Sequence, residues 1–298
     1  MVREKTGYEV KPFFASDYAG VIEGMRFNKV DVVLYGNKSG MEAVKRAGAE
    51  VFAQTIEPGG GLGYYSVLHT LKSNEKINSL KDVLKCDKSI SFGIGDPNST
   101  SGFLVPTTFI FAKHGVDPSK CFKTVRNASH ETNLLSVANG QVDVATANNK
   151  AMHFRLKRNK PKAYNKLKEI WRSPLIASDP LAYRGNLPKD VKASIYYAFV
   201  SMGRFGDPED IRKERQILQN AYFAGFRPSS NAQLYPFWQM ALTKDKMKIE
   251  SDAKLSASEK KSKLAEIEEG LKKWRALESE LPNDLGETPQ LTKAQIKE

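Results

Sequence analysis

Short apolar runs alternate with helix-periodic segments over most of the chain, and that alternation predicts strands and helices in turn. Lys11–Ala15 reads as a short apolar strand, and 17–28 reads as a helix with Ser16 as its N-cap. Val30–Tyr35 is a nearly continuous apolar strand, the pattern of a parallel strand covered on both faces. A helix over 40–47 and a strand over 51–56 follow, then a flexible turn at Pro58-Gly59-Gly60-Gly61 and a strand over 64–71. The rhythm restarts with a strand over 89–94, a helix over 101–113 ended by Gly115, and a strand over 122–127. A helix over 131–139 ended by Gly140 and a strand over 142–145 complete it. Repeated short βα units predict an α/β architecture with parallel sheets. Two such series joined by long strands predict two lobes with a cleft between them. Ligands of such folds lie beyond the carboxyl ends of the strands, where the polar loops of this sequence fall.

From about Ser256 the pattern changes to a charged helix. Leu264, Ile267, Leu271, Trp274, Leu277 and Leu281, spaced by three and four, form a seam. That seam can receive another helix, including one from a second copy of the chain in a homodimer, or can pack back on its own lobe.

The 298 residues suffice for two cores. The formal charge of +12 points to anionic partners. Its densest stretch, from Lys150 to Arg172, lacks interleaved aromatics or a nucleic-acid-binding motif, so it reads as solvated faces rather than a nucleic-acid footprint. No apolar run reaches the roughly 18 residues of a membrane span, and no export signal opens the chain. Cys86 and Cys121 lie too far apart for a zinc knuckle or a Cys-x-x-Cys redox motif, and the four histidines form no metal-ligand pair. No metal or cofactor is expected.

The segment richest in chemistry runs from Ser91 to Phe103: a buried strand, a turn at Gly95-Asp96-Pro97-Asn98, three hydroxyl residues (Ser99, Thr100, Ser101), then Gly102 opening an apolar helix. Free amides at a helix N-terminus and the helix dipole favour negative charge. Three hydroxyls add neutral donors without a counter-charge, a nest suited to a tetrahedral oxyanion held reversibly. An ordinary N-cap needs only one hydroxyl. Pro106 stands in tension with this helix, because it should disturb the first turn.

The motifs GDPNSTSGFLVP, DYAGVIEGMRFNKVDVVLYGN, GYYSVL, HETNLLSVANGQVDVAT and SPLIASDP, in order between about residues 8 and 240, resemble the phosphonate-binding periplasmic components of ABC transporters. The resemblance implies a type II periplasmic-binding fold with lobe one at 1–68 and 170–228, lobe two at 69–169, and a C-terminal helical extension at 229–298. It also implies a periplasmic location and an ABC permease as partner. Carried over by motif, the phosphonate group would meet Ser99, Thr100, Ser101, Tyr18, Tyr64 and His130. His130 opens a helix, where the dipole disfavours its charged form and a bound dianion would favour it.

Two departures qualify the resemblance. Family members that bind aminoethylphosphonate carry a Glu in a stretch reading like ATNNTE. Here Ala145-Thr146-Ala147-Asn148-Asn149-Lys150 puts Lys150 at that position, while Asp179 survives as the second amine partner. A Lys there repels a ligand's cation, so alkylphosphonates, phosphite, phosphate or a phosphonate bearing a carboxylate are the expected ligands, unless Lys150 points to solvent. The family's first strand is also absent ahead of Tyr8, which implies a truncated and poorly stable lobe one. On a periplasmic reading Cys86 and Cys121, each preceding a strand, either bridge one sheet end or stay as free thiols. The rival readings are an anion sensor of the same fold and a phosphotransferase built on Asp96, the latter without the paired acids of a Mg²⁺ site.

Overall fold

The computed structural model describes residues 1–281. Its strands are β1 Val32–Leu34, β2 Ala49–Ile56, β3 Gly63–Tyr64, β4 Ser66–Leu71, β5 Ser91–Gly95, β6 Thr124–Ala128, β7 Val144–Asn148, β8 Leu167–Arg172, β9 Ile176–Ala177, β10 Pro180–Arg184 and β11 Gly225–Pro228. The helices that matter below are α1 Tyr18–Arg26, α2 Asn37–Ala47, a helical stretch α3 from Thr100 to His114, and α4 His130–Ala138. They continue with α5 Lys150–Leu156, α6 Lys189–Val200, α7 Pro208–Asn220, α8 Tyr235–Ser251 and α9 Ala257–Ser279.

Two main sheets form. One has the order β1-β10-β2-β11, the other β6-β5-β7-β4-β8, and the short β3–β9 pair runs between them. Each main sheet is buried on both faces. Ile22, Met25 and Met41 from α1 and α2 cover one side of the four-stranded sheet, while Leu181, Ile195 and Phe226 pack on the other. In the five-stranded sheet Leu134, Met152 and Leu156 fill one side, and Phe92, Ile110, Phe111 and Phe122 fill the other. Phe92 stacks on Phe122 with centroids 4.5 Å apart, and Phe111 meets both edge-on, a geometry that adds to plain area burial. This is the two-lobe α/β binding-protein architecture the motifs implied.

Several local expectations need correction. The repeated βα units read as parallel or mixed sheets, whereas every ladder of the four-stranded sheet is antiparallel. The unit β1–α2–β2 leaves a one-strand gap that the returning β10 fills, so β1 and β2 run the same way without touching. The five-stranded sheet is mixed: β5 pairs β6 and β7 in parallel, and β4 pairs β7 and β8 antiparallel. Lys11–Ala15 forms no strand, and Phe13 and Phe14 are exposed. Apolar residues there find no ladder to join. The N-cap of α1 is Asp17 rather than Ser16, its Oδ1 accepting the Gly20 amide at 2.8 Å. Both β4 and β8 lie in the five-stranded sheet, so divisions at 68/69 and 169/170 would cut through these strands.

Cys86 and Cys121 are disulfide-bonded. They precede the parallel neighbours β5 and β6 and staple the amino ends of that pair. The seam of α9 finds its partner within the chain. Ile267 and Leu271 are buried, Trp274 stacks on Trp238 of α8 at 5.1 Å, and Ser256 caps the helix with Glu259 in a capping box. The seam offered to a second copy is therefore occupied by α8. Residues 282–298 of the expected extension lie outside the described residues.

Candidate functional site

The parallel pairing of β5, β6 and β7 brings three carboxyl ends together, with Gly95 opposite Ala128 at the last rung of the β5–β6 ladder. The loop after β5 carries Ser99, Thr100 and Ser101; the loop after β6 leads into His130; and the end of β7 carries Asn148 and Lys150. The Ser99 and Ser101 hydroxyls each lie 3.5 Å from His130 Nε2, and Asn148 Nδ2 lies 3.4 Å from Ser101 Oγ. All three hydroxyl residues are buried.

Ser99 is the N-cap of α3: its Oγ accepts the Gly102 amide at 3.0 Å and keeps its own proton to donate elsewhere. The turn ahead of it is set by Asp96, whose carboxylate accepts the Asn98 amide and whose carbonyl accepts the Ser99 amide. Glycine is needed where strand and helix cross. A Cβ on Gly95 would sit 2.6 Å from Gly102 backbone atoms, and one on Gly102 would press on Ser99 Oγ and the His130 ring.

The structure also resolves the tension at Pro106. The helix begins in wide turns closed five residues back, Thr100–Leu104 and then Thr107–Phe111. Proline has no amide to give the carbonyls of Gly102 or Ser101. Hydroxyls from the sheet supply the missing donors: Thr146 Oγ1 donates to Gly102 O at 2.7 Å, and Ser66 Oγ donates to Ser101 O at 2.6 Å. These two bonds fasten the start of α3 to β7 and β4.

The opposite wall comes from the four-stranded sheet. Tyr18 is the first residue of α1, and the first turn of α2 donates the Lys38 amide to Thr100 Oγ1 at 2.8 Å. Thr100 thus joins the two walls with its oxygen and retains only its hydroxyl proton for a ligand. Four helices begin here, at Tyr18, Asn37, Thr100 and His130, and their N-termini supply positive potential without a cation.

Burial, reinforced by the nearby Asp179 carboxylate, raises the Tyr18 phenol, while a hydrogen bond with Ser99 opposes the rise. Burial raises Tyr64 well above the ordinary phenol range, with Asp179 adding to it. Both phenols are therefore neutral donors at physiological pH. Burial, helped by the Arg155 charge, lowers His130 to about 4, and its Nδ1 is enclosed without a partner. An empty site thus holds a neutral imidazole. A bound dianion stabilises the protonated form.

Lys150 is 7% exposed, so it does not point to solvent. Its Nζ lies 2.9 Å from Asp179 Oδ2, 3.1 Å from Glu57 Oε1 and 4.1 Å from the Tyr64 ring centroid. Burial pulls its pKa down, but the two carboxylates outweigh that and raise it, which keeps it charged. Glu57 went unrecognised in the sequence. The available signal was an acid at the end of a buried strand, directly before the Gly-rich turn.

A family model for ABC transporter phosphonate periplasmic substrate-binding proteins matches residues 1–234. The phosphonates-binding periplasmic protein of Escherichia coli is 47% identical over 267 residues, covering 90% of this chain and 76% of that protein. The crystal structure of a binding-protein component of an ABC phosphonate transporter from Pseudomonas aeruginosa superposes with a TM-score of 0.89 at 46% identity, covering 94% of this chain and 90% of that one. A Prochlorococcus marinus protein in complex with methylphosphonate shares the fold, with a TM-score of 0.68 at 23% identity over 80% of this chain and 87% of that one. By motif, site and match together, the chain belongs to the periplasmic substrate-binding proteins of phosphonate ABC transporters.

Proposed function

We propose that the protein captures a phosphonate or related phosphorus oxyanion between its two lobes, as the periplasmic solute receptor of an ABC importer, and that it catalyses no reaction. The supporting observation is the convergence of Ser99, Ser101, His130, Tyr18 and Tyr64 around the start of α3. Neutral hydroxyl and phenol donors gather there beside four helix N-termini. Asp96 is committed to the turn that positions Ser99, which leaves it poorly placed as a phosphoryl acceptor. Neutral donors bind an oxyanion strongly enough to select it and release it without breaking a fixed ion pair. The lobes divide at the β3–β9 crossover, residues 1–64 with 176–228 on one side and 66–173 on the other.

At the substituent end, Asp179 and Lys150 stand with Glu57. Because Lys150 is already paired with two carboxylates, a ligand carboxylate finds no free cation there, and that ligand class loses its basis. Alkylphosphonates such as methylphosphonate, phosphite and phosphate remain the expected ligands, ahead of 2-aminoethylphosphonate. Isothermal titration of the purified protein with methylphosphonate, phosphite, phosphate and 2-aminoethylphosphonate tests this. Saturable binding of a phosphorus oxyanion is expected, and tight selective uptake of the aminoethyl compound would contradict the ligand preference.

A further inference from the structure

Lys150 follows β7 of the five-stranded sheet, whereas Glu57 follows β2 and Asp179 precedes β10 in the four-stranded sheet. Its ammonium therefore crosses the cleft, 3.1 Å from Glu57 Oε1 and 2.9 Å from Asp179 Oδ2. Ser178 Oγ and Thr55 Oγ1 also reach Glu57 Oε1, at 3.1 and 3.4 Å, and fix that carboxylate to its own lobe. The Tyr64 ring lies against the ammonium on the β3 crossover, and the Tyr64 hydroxyl neighbours Ser101 and Asp179. The ion cluster and the oxyanion nest thus share a wall.

Resting on the functional reading above, we propose that Lys150 is a built-in cationic tail: its ammonium ties the lobes at the substituent end, so the pocket selects phosphorus oxyanions with short uncharged substituents and rejects aminoalkylphosphonates.

A ligand ammonium entering here would share two carboxylates with one already in place, in space filled by the lysine stem. Swinging Lys150 away instead would leave a buried charge without its partners, a costly change. The cluster carries one net negative charge, and Glu57 Oε2 and Asp179 Oδ1 are buried without donors. A neutral donor, water or a ligand hydroxyl, is small enough to meet that need beside the lysine stem; a second ammonium would offset the net charge but must displace that stem. A tail-less ligand cannot itself reach both lobes at this end. Lys150 makes that connection for it, and so lowers the ordering cost of closure.

The test is titration of wild-type protein and the Lys150→Ala variant with methylphosphonate and 2-aminoethylphosphonate, with folding checked by circular dichroism. Wild type is expected to favour methylphosphonate. In Lys150→Ala, methylphosphonate should weaken by about tenfold or more and 2-aminoethylphosphonate should tighten by about tenfold or more, its ammonium replacing the missing one. Lys150→Ser, which also removes the stem and its charge but leaves a small polar group near Glu57 and Asp179, serves the same comparison if the alanine variant does not fold. Equal selectivity in wild type and variant, or parallel loss of both ligands in a folded variant, would overturn the proposal while leaving the oxyanion site standing. No binding of either ligand, phosphite or phosphate by wild type would overturn the oxyanion reading and the proposal together.

Discussion

The two ends of the cleft solve opposite problems. At the proposed oxyanion end, Ser99, Ser101, Tyr18 and Tyr64 offer neutral donors, and His130 is uncharged when empty. Attraction comes from helix N-termini and hydroxyl dipoles, fixed to the sheet by Ser66 and Thr146. At the substituent end, three full charges from Lys150, Glu57 and Asp179 already satisfy much of one another. A dipolar site is open to an incoming charge; a paired ionic site resists one. Affinity should therefore live at the first end and discrimination at the second.

That division can be broken most forcefully at the oxyanion end. Ser99→Ala with Ser101→Ala removes two donors to a charged ligand, each worth roughly 1.5–3 kcal/mol. Methylphosphonate affinity should fall by about a thousandfold in titration. A loss no greater than that from Lys150→Ala would erase the distinction between the ends. The disulfide sharpens the comparison differently. Cys86 and Cys121 sit before β5 and β6, at the ends of those strands remote from the site, and their separation of 35 residues corresponds to about 3–4 kcal/mol of stabilisation. Reduction should lower the melting temperature of the unliganded protein while leaving the affinity of the folded protein near its original value, measured by titration below the melt.

The smallest effect concerns His69, which lies on β4 within the layer that carries Ser66. It is fully buried with both ring nitrogens unpartnered, and burial lowers its pKa from 6.5 to about 4. As pH falls through this range, the unfolded chain takes up the proton first. Stability is unaffected well above pH 6.5 and drains away between 6.5 and 4, by about 3 kcal/mol for one such group. His130 carries a comparable shift. In unliganded protein, His69→Leu should remove about half of this acid-side loss, read as the slope of melting temperature against pH.

The clustering of Ser99 and Ser101 at the start of α3 was legible because its signal is local: three hydroxyls in a row between a buried strand and a Gly-opened helix. His130 entered only through the family motif, and the sequence left the cysteines either bridged or free; the parallel β5–β6 ladder is what brings His130 near Ser99 and joins the cysteines. The resolution of Pro106 was not legible, since the donors that serve the freed carbonyls come from Ser66 and Thr146, 35 and 44 residues away. Nor was Glu57, 93 residues from the lysine it pairs with. From sequence, Lys150 showed only a charge reversal; its burial and its bridging depend on how two sheets face each other. The strand expected over 11–15 failed for the converse reason, because apolar content specifies a strand only where a ladder exists to receive it.

A crystal structure of the protein grown with methylphosphonate measures the central claim most directly. The phosphonate oxygens should lie within hydrogen-bond distance of the Ser99 and Ser101 hydroxyls and of His130, at the N-terminus of α3. A phosphonate bound elsewhere, with the Ser99 and Ser101 hydroxyls turned away from it, would contradict the assignment.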